Sequence, residues 1–207
     1  MPGMDADAKH CTTLATREEK EVHDLEALAS SLCASHKYGA AEEPLRRALA
    51  IRESAIGPYH REMAPALTYL GGVLRAQGNF AQAQPAYERA LDIRERVFGP
   101  EHADVAESLT DLAEMYRSKN DYEAAEPLFR RANAIYEQRL DPDDVDFGYF
   151  LNNYASFLDA VGKSAEALMA IQRCVHIFEA EFGPKDQKTQ IACGWMHHLE
   201  AKVGTHK

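Results

Sequence analysis

Along this chain apolar residues return at helical spacing, as in Leu67, Leu70 and Leu74 and then Ala83, Tyr87, Ala90 and Leu91, and no segment alternates with period two. The pattern itself repeats. A step of 42 residues carries Leu25 to Leu67, Leu109 and Leu151, Ala41 to Ala83, Ala125 and Ala167, and Ile51 to Ile93, Ile135 and Ile177. The same step separates Pro58, Pro100, Pro142 and Pro184, three of which follow glycine.

Each unit therefore predicts two helices with two breaks. The inner break falls at His36, Gly78, Asn120 and Gly162. Glycine, asparagine and, less favourably, histidine accept the left-handed backbone that ends a helix. The outer break is the Gly-Pro or Asp-Pro pair, where glycine closes one helix and proline bars its continuation. The units read as residues 18–57, 60–99, 102–141 and 144–183, followed by a lone helix over 186–203. The expected fold is all-α, a right-handed α-solenoid of about four helix-turn-helix repeats closed by a capping helix. Ala192, Met196, Leu199 and Val203 share one face of that last helix, while Glu200 suits a side with no following helix. Residues 1–17 are expected to be a disordered tail, with Thr16 and Glu19 forming a capping box at the first helix. Pro85 and Pro127, a few residues inside second helices, are expected to be tolerated with at most a local kink.

The third unit carries Ala103-Asp104-Val105-Ala106-Glu107-Ser108-Leu109-Thr110-Asp111-Leu112-Ala113, then Tyr122-Glu123-Ala124-Ala125-Glu126-Pro127-Leu128-Phe129-Arg130-Arg131-Ala132; the fourth keeps Leu151-Asn152-Asn153. With the Gly-Pro-Glu-His junction and the 42-residue period, these segments resemble the tetratricopeptide repeat, in the form found in kinesin light chains. The resemblance implies a protein-binding scaffold, with cargo-peptide binding carried over only at Asn152 and Asn153. Repeats two and three have Thr68-Tyr69 and Thr110-Asp111 there. The carboxylate-clamp pattern of chaperone-tail-binding tetratricopeptide proteins is not visible.

Composition narrows the partner class. A formal charge of −10 argues against nucleic-acid and anionic-membrane surfaces, which call for a basic patch. The acidic start of the chain and the lack of a long apolar run predict a cytoplasmic protein. Cys11, Cys33, Cys174 and Cys193 are widely spaced and read as reduced thiols. No HExxH, CxxC, GxSxG or phosphate-loop signature occurs, so neither an enzyme nor a cofactor is expected. Cys193, His197 and His198 supply a remote alternative as a metal or catalytic cluster, although two ligands on one helical face do not complete a tetrahedral site. His60, His102, Asp144 and Asp186 share one register beside helix starts and read as caps.

Binding in such an array is expected on the first helices, at positions not committed to packing. Those positions are Thr68, Gly72 and Arg75 in repeat two, Glu107, Thr110, Glu114 and Arg117 in three, and Tyr149, Asn152, Ser156 and Asp159 in four, with Asn153 added by the resemblance. Amides and hydroxyls suit a peptide backbone, and Arg75 and Arg117 suggest an acidic partner. Against this, Arg117 could pair with Glu114 or Asp159. The alternative to an adaptor is a self-associating array; a monomer is the expected state.

Overall fold

A computed structural model of the protein describes residues 16–204. Among them are nine α-helices: α1 Thr16–Ala34, α2 Tyr38–Ile56, α3 Met63–Ala76, α4 Phe80–Phe98, α5 Ala103–Ser118, α6 Tyr122–Arg139, α7 Val145–Ala160, α8 Ser164–Phe182 and α9 Gln187–Gly204. They pair in sequence as α1/α2, α3/α4, α5/α6 and α7/α8, with α9 packed on α8 as a cap. The expected tail lies outside the described residues except where α1 begins, and the expected capping contact of the Thr16 side chain lies outside them too.

All four inner breaks are left-handed: φ is 56° at His36, 62° at Asn120, 75° at Gly78 and 82° at Gly162. The outer junctions demand more. Gly57, Gly99 and Gly183 hold φ between 85° and 88° with ψ near 160°, a region essentially closed to residues with a Cβ. Asp141 stands at the equivalent place in the third junction and cannot follow. There α6 stops at Arg139, and Leu140 leaves it in extended geometry, φ −101° and ψ 156°. Pro44, Pro85 and Pro127 all lie within helices that continue through them.

The helices form two compact units, divided after Gly99. In the first, α1 to α4, α2 also packs on α3. Its core is small and aliphatic: Ala41, Ala48, Ala83 and Ala90 are fully buried and let helices close on Leu45, Leu67, Leu70 and Leu74. Gly71 brings α3 against α4, since a Cβ there would lie 2.9 Å from the Tyr87 ring. Arg89 forks onto Glu53 and also donates to the Pro58 carbonyl at 3.0 Å, tying α4 to the preceding junction.

The second unit, α5 to α9, is aromatic at its centre. Phe129 of α6 meets Phe157 of α7 at 4.8 Å between centroids, and Tyr136 meets Phe150 at 5.0 Å. Phe129, Phe147, Phe150 and Phe157 are each at most 1% exposed, and burial of one such side chain contributes about 1.5–3 kcal/mol. Arg131 donates to the Pro100 carbonyl at 2.9 Å, the counterpart, one 42-residue step on, of the Arg89 bond to Pro58. The cap is fastened by Leu199, at 0% exposure, by Ala192 and by a 2.6 Å bond from Lys202 to Asp159 on α7.

Candidate functional site

The helix starts of the second unit set out the site. His102 caps α5 by accepting the Asp104 backbone N–H at Nδ1 (3.2 Å), and Asp144 caps α7 by accepting that of Asp146 at Oδ1 (2.8 Å). Asp186 makes the same contact with Lys188 at the start of α9, whereas His60 accepts the Glu62 backbone N–H at 3.3 Å in the turn before α3, which begins at Met63, so three of these four residues cap a helix and His60 does not. Both caps fix the first turns of α5 and α7, where Asp104 and Asp146 project.

Along α5, Asp104, Glu107 and Asp111 follow one another at three and four residues, which places them on one face. On α7, Asp146, Tyr149, Phe150 and Asn153 do the same. With Tyr136 and Leu140 from the end of α6, and Ala103 and Thr110, they line a cavity of about 360 Å³. Four carboxylates face it and no lysine or arginine lines it. The Tyr136 phenol registers the resulting field. Burial raises its pKa, and the charges of Glu107, Asp146 and Asp111 raise it further, so it stays protonated against a hydrogen bond with Thr110. Thr110 is itself buried and donates to the Ala106 carbonyl at 2.8 Å. Tyr149 is 40% exposed, and its hydroxyl accepts a 2.6 Å bond from Lys188.

Of the residues expected on this surface, Glu107, Thr110, Tyr149 and Asn153 line the cavity. Asn152 and Ser156 are half-buried on α7 outside its lining. Arg117 and Glu114 are closed on each other, Nε to Oε1 at 2.9 Å and Nη2 to Oε2 at 2.7 Å, and the Glu114 carboxylate raises the Arg117 pKa. Asp159 is held by Lys202 and Ser164 instead of Arg117. In the first unit Arg75 is half-buried in the last turn of α3, and the Thr68 hydroxyl oxygen is buried without a hydrogen-bond partner. Spacing alone does not single out Asp104, Asp111, Asp146 or Tyr136. On α5 the cavity is lined by 104, 107, 110 and 111, whereas the repeat pattern predicts 107, 110, 114 and 117, so the two agree at Glu107 and Thr110 and differ at Asp104 and Asp111.

A wider groove of about 750 Å³ in the first unit runs between α2 and α4 over Leu67, Leu70 and Leu74. Its rim arginines are occupied: Arg46 by Glu42 and Gln82, and Arg89 as described above. Among the described residues no group of three or more His, Cys, Asp or Glu could hold a metal ion, which covers both the carboxylates of the cavity and Cys193, His197 and His198. No helix among them is long and apolar enough to cross a membrane.

Tetratricopeptide repeat profiles match residues 62–138 and 25–62 of the chain, together more than half of its 207 residues. No curated protein matches it significantly. Among solved structures it is similar to a Podosopora anserina protein described by its kinesin light chain nearly identical TPR-like repeats. The TM-score is 0.67 at 18% identity, covering 91% of this chain and 99% of that one. A single-substitution form of the same Podosopora anserina protein gives 0.67 at 17%, covering 92% and 99%. BtubC (BKLC) from P. vanneervenii gives 0.66 at 16%, covering 91% and 83%. At these identities the likeness is one of fold. With the 42-residue period, the four helix pairs and the cap, it leads to one conclusion: the chain belongs to the tetratricopeptide repeat family, and its repeats are built like those of kinesin light chains.

Proposed function

We propose that the protein is a non-catalytic adaptor that holds a segment of a partner protein on the first helices of repeats three and four. A basic side chain of that segment enters the cavity between α5 and α7. Tetratricopeptide arrays generally mediate protein–protein interaction, and the observation that carries the finer reading is the cavity lining: Asp104, Glu107, Asp111 and Asp146 beside the rings of Tyr136, Tyr149 and Phe150. A guanidinium or ammonium there gains charge-assisted hydrogen bonds and a ring face. Asn153, with Asn152 and Ser156 further along α7, is suited to the backbone of an extended peptide. This reading replaces the acidic partner. Arg117 is committed to Glu114, and the surface next to it is negative. Thr68 and Arg75 would belong to a separate stretch of groove on α3. A cytoplasmic setting fits the free Cys33, Cys174 and Cys193.

Fluorescence anisotropy with labelled arginine- and lysine-bearing peptides tests the reading. Binding should weaken about tenfold or more in Glu107→Gln and in Asp146→Asn, and should fall with added salt. Preference for acidic peptides, or binding indifferent to both substitutions, would overturn it.

A further inference from the structure

The cap carries a feature that the groove does not use. α8 ends at Phe182 and α9 begins at Gln187, so the two packed helices run antiparallel across a short turn. Their register is fixed by the buried Thr189 hydroxyl, which donates to the Phe178 carbonyl at 3.2 Å. One helical turn, four residues, back along α8 from Phe178 lies Cys174; one turn forward along α9 from Thr189 lies Cys193. The two cysteines therefore face each other across the helix pair.

Their positions in the repeat sharpen this. Cys174 occupies the register of Ala48, Ala90 and Ala132, all fully buried. Cys193 occupies the register of Leu25, Leu67, Leu109 and Leu151. Only at the junction of the last repeat with its cap do both places hold a thiol. Cys174 is completely buried, while Cys193 is half-buried and open to a small reagent.

We infer that Cys174 and Cys193 are a redox-sensitive pair that closes into a disulfide and pins α9 to the last repeat. With a low-molecular-weight disulfide as oxidant, the Cys193 thiolate attacks one of its sulfurs and expels the first thiolate. Cys174 then attacks the Cys193 sulfur of the mixed disulfide and expels the second. The two protein sulfurs are oxidised, the two reagent sulfurs are reduced, and the two thiol protons pass to the departing thiolates. Burial pushes the Cys174 thiol up to about 12, with Cys193 adding to the shift, and burial also raises Cys193, with Glu179 adding. Both effects lower the thiolate fraction and so slow the exchange.

The full-length protein is incubated with oxidised glutathione, denatured, alkylated and digested for mass spectrometry. The expected product joins the Cys174 and Cys193 peptides and disappears on reduction. Its formation should raise Tm by about 5 °C or more through loop closure. Cys193→Ser should abolish the rise, and Cys33→Ser should leave it intact. Three results would overturn the inference: Cys174 fully alkylated while glutathione remains on Cys193, linkage of either cysteine to Cys11 or Cys33, or a linked product with unchanged Tm.

Discussion

Replacing Gly148 by alanine should destabilise the second unit, although alanine is the better helix former. A Cβ at Gly148 would lie 2.9 Å from Phe178 Cε1, 3.0 Å from Ile177 Cγ2 and 3.2 Å from Phe178 Cδ1. Neither neighbour has room to move. Ile177 is 0% and Phe178 3% exposed, and the Phe178 ring is itself hemmed in by Tyr149 at 5.1 Å and Phe182 at 5.6 Å. Overpacking of this kind costs about 1–3 kcal/mol, against about 1 kcal/mol gained from helix propensity. The net loss is therefore up to about 2 kcal/mol. Gly194 supplies the control, being in α9 with nothing within 4 Å of its Cβ position. There the same substitution should stabilise by up to about 1 kcal/mol. Urea denaturation followed by circular dichroism should move the two midpoints in opposite directions. If Gly148→Ala stabilises as much as Gly194→Ala, the close approach of α7 to α8 is not a constraint on this fold.

Arg117→Ala should lower Tm, with a loss of about 1–2 kcal/mol, because it removes the bidentate partner of a Glu114 carboxylate that has only 12% side-chain exposure; peptide affinity measured alongside should change little. Leu199→Ala opens a cavity under the cap and should cost about 2–5 kcal/mol in chemical denaturation. For Asp159, burial opposes the charged form, but hydrogen bonds from Lys202 and Ser164 outweigh it and leave the pKa below the ordinary 3.8. Its stabilisation is thus complete above that value and lost as pH falls through the depressed one. The Tm difference between wild type and Asp159→Asn should accordingly be largest near neutrality and vanish in strong acid.

The repeat is legible because its punctuation is chemical. Gly78, Asn120 and Gly162 announce left-handed ends by residue type, His36 follows from the shared register, and Gly57, Gly99 and Gly183 mark junctions that require glycine. Asp141 reads in sequence as one more such break, although a residue with a Cβ cannot hold that backbone and the helix has to end a residue early. The groove is harder for a related reason. Each step along a helix rotates a side chain by about 100°, so a stripe drawn through the buried Thr110 leaves out its neighbour Asp111, although both line the cavity. Which neighbours reach it depends on where α6 and α7 press against α5, and Tyr136 comes from a different helix, which no periodicity in α5 reveals. Arg117 is ambiguous in sequence, since a pair three residues apart on a helix and an outward anchor use the same letters; the structure shows the bidentate bond to Glu114.

The junction backbone also determines where this array could be lengthened by design. Gly57-Pro58 and Gly99-Pro100 share dihedral angles at glycine, and each has its proline carbonyl held by an arginine from the following second helix, so a cassette cut at both points would carry matched ends. A cassette ending at Asp141-Pro142 would bring a helix one residue short and an extended exit into a socket shaped for glycine. Copies spliced through the first pair should stack in frame, whereas those spliced through the third should set the next repeat at a different pitch.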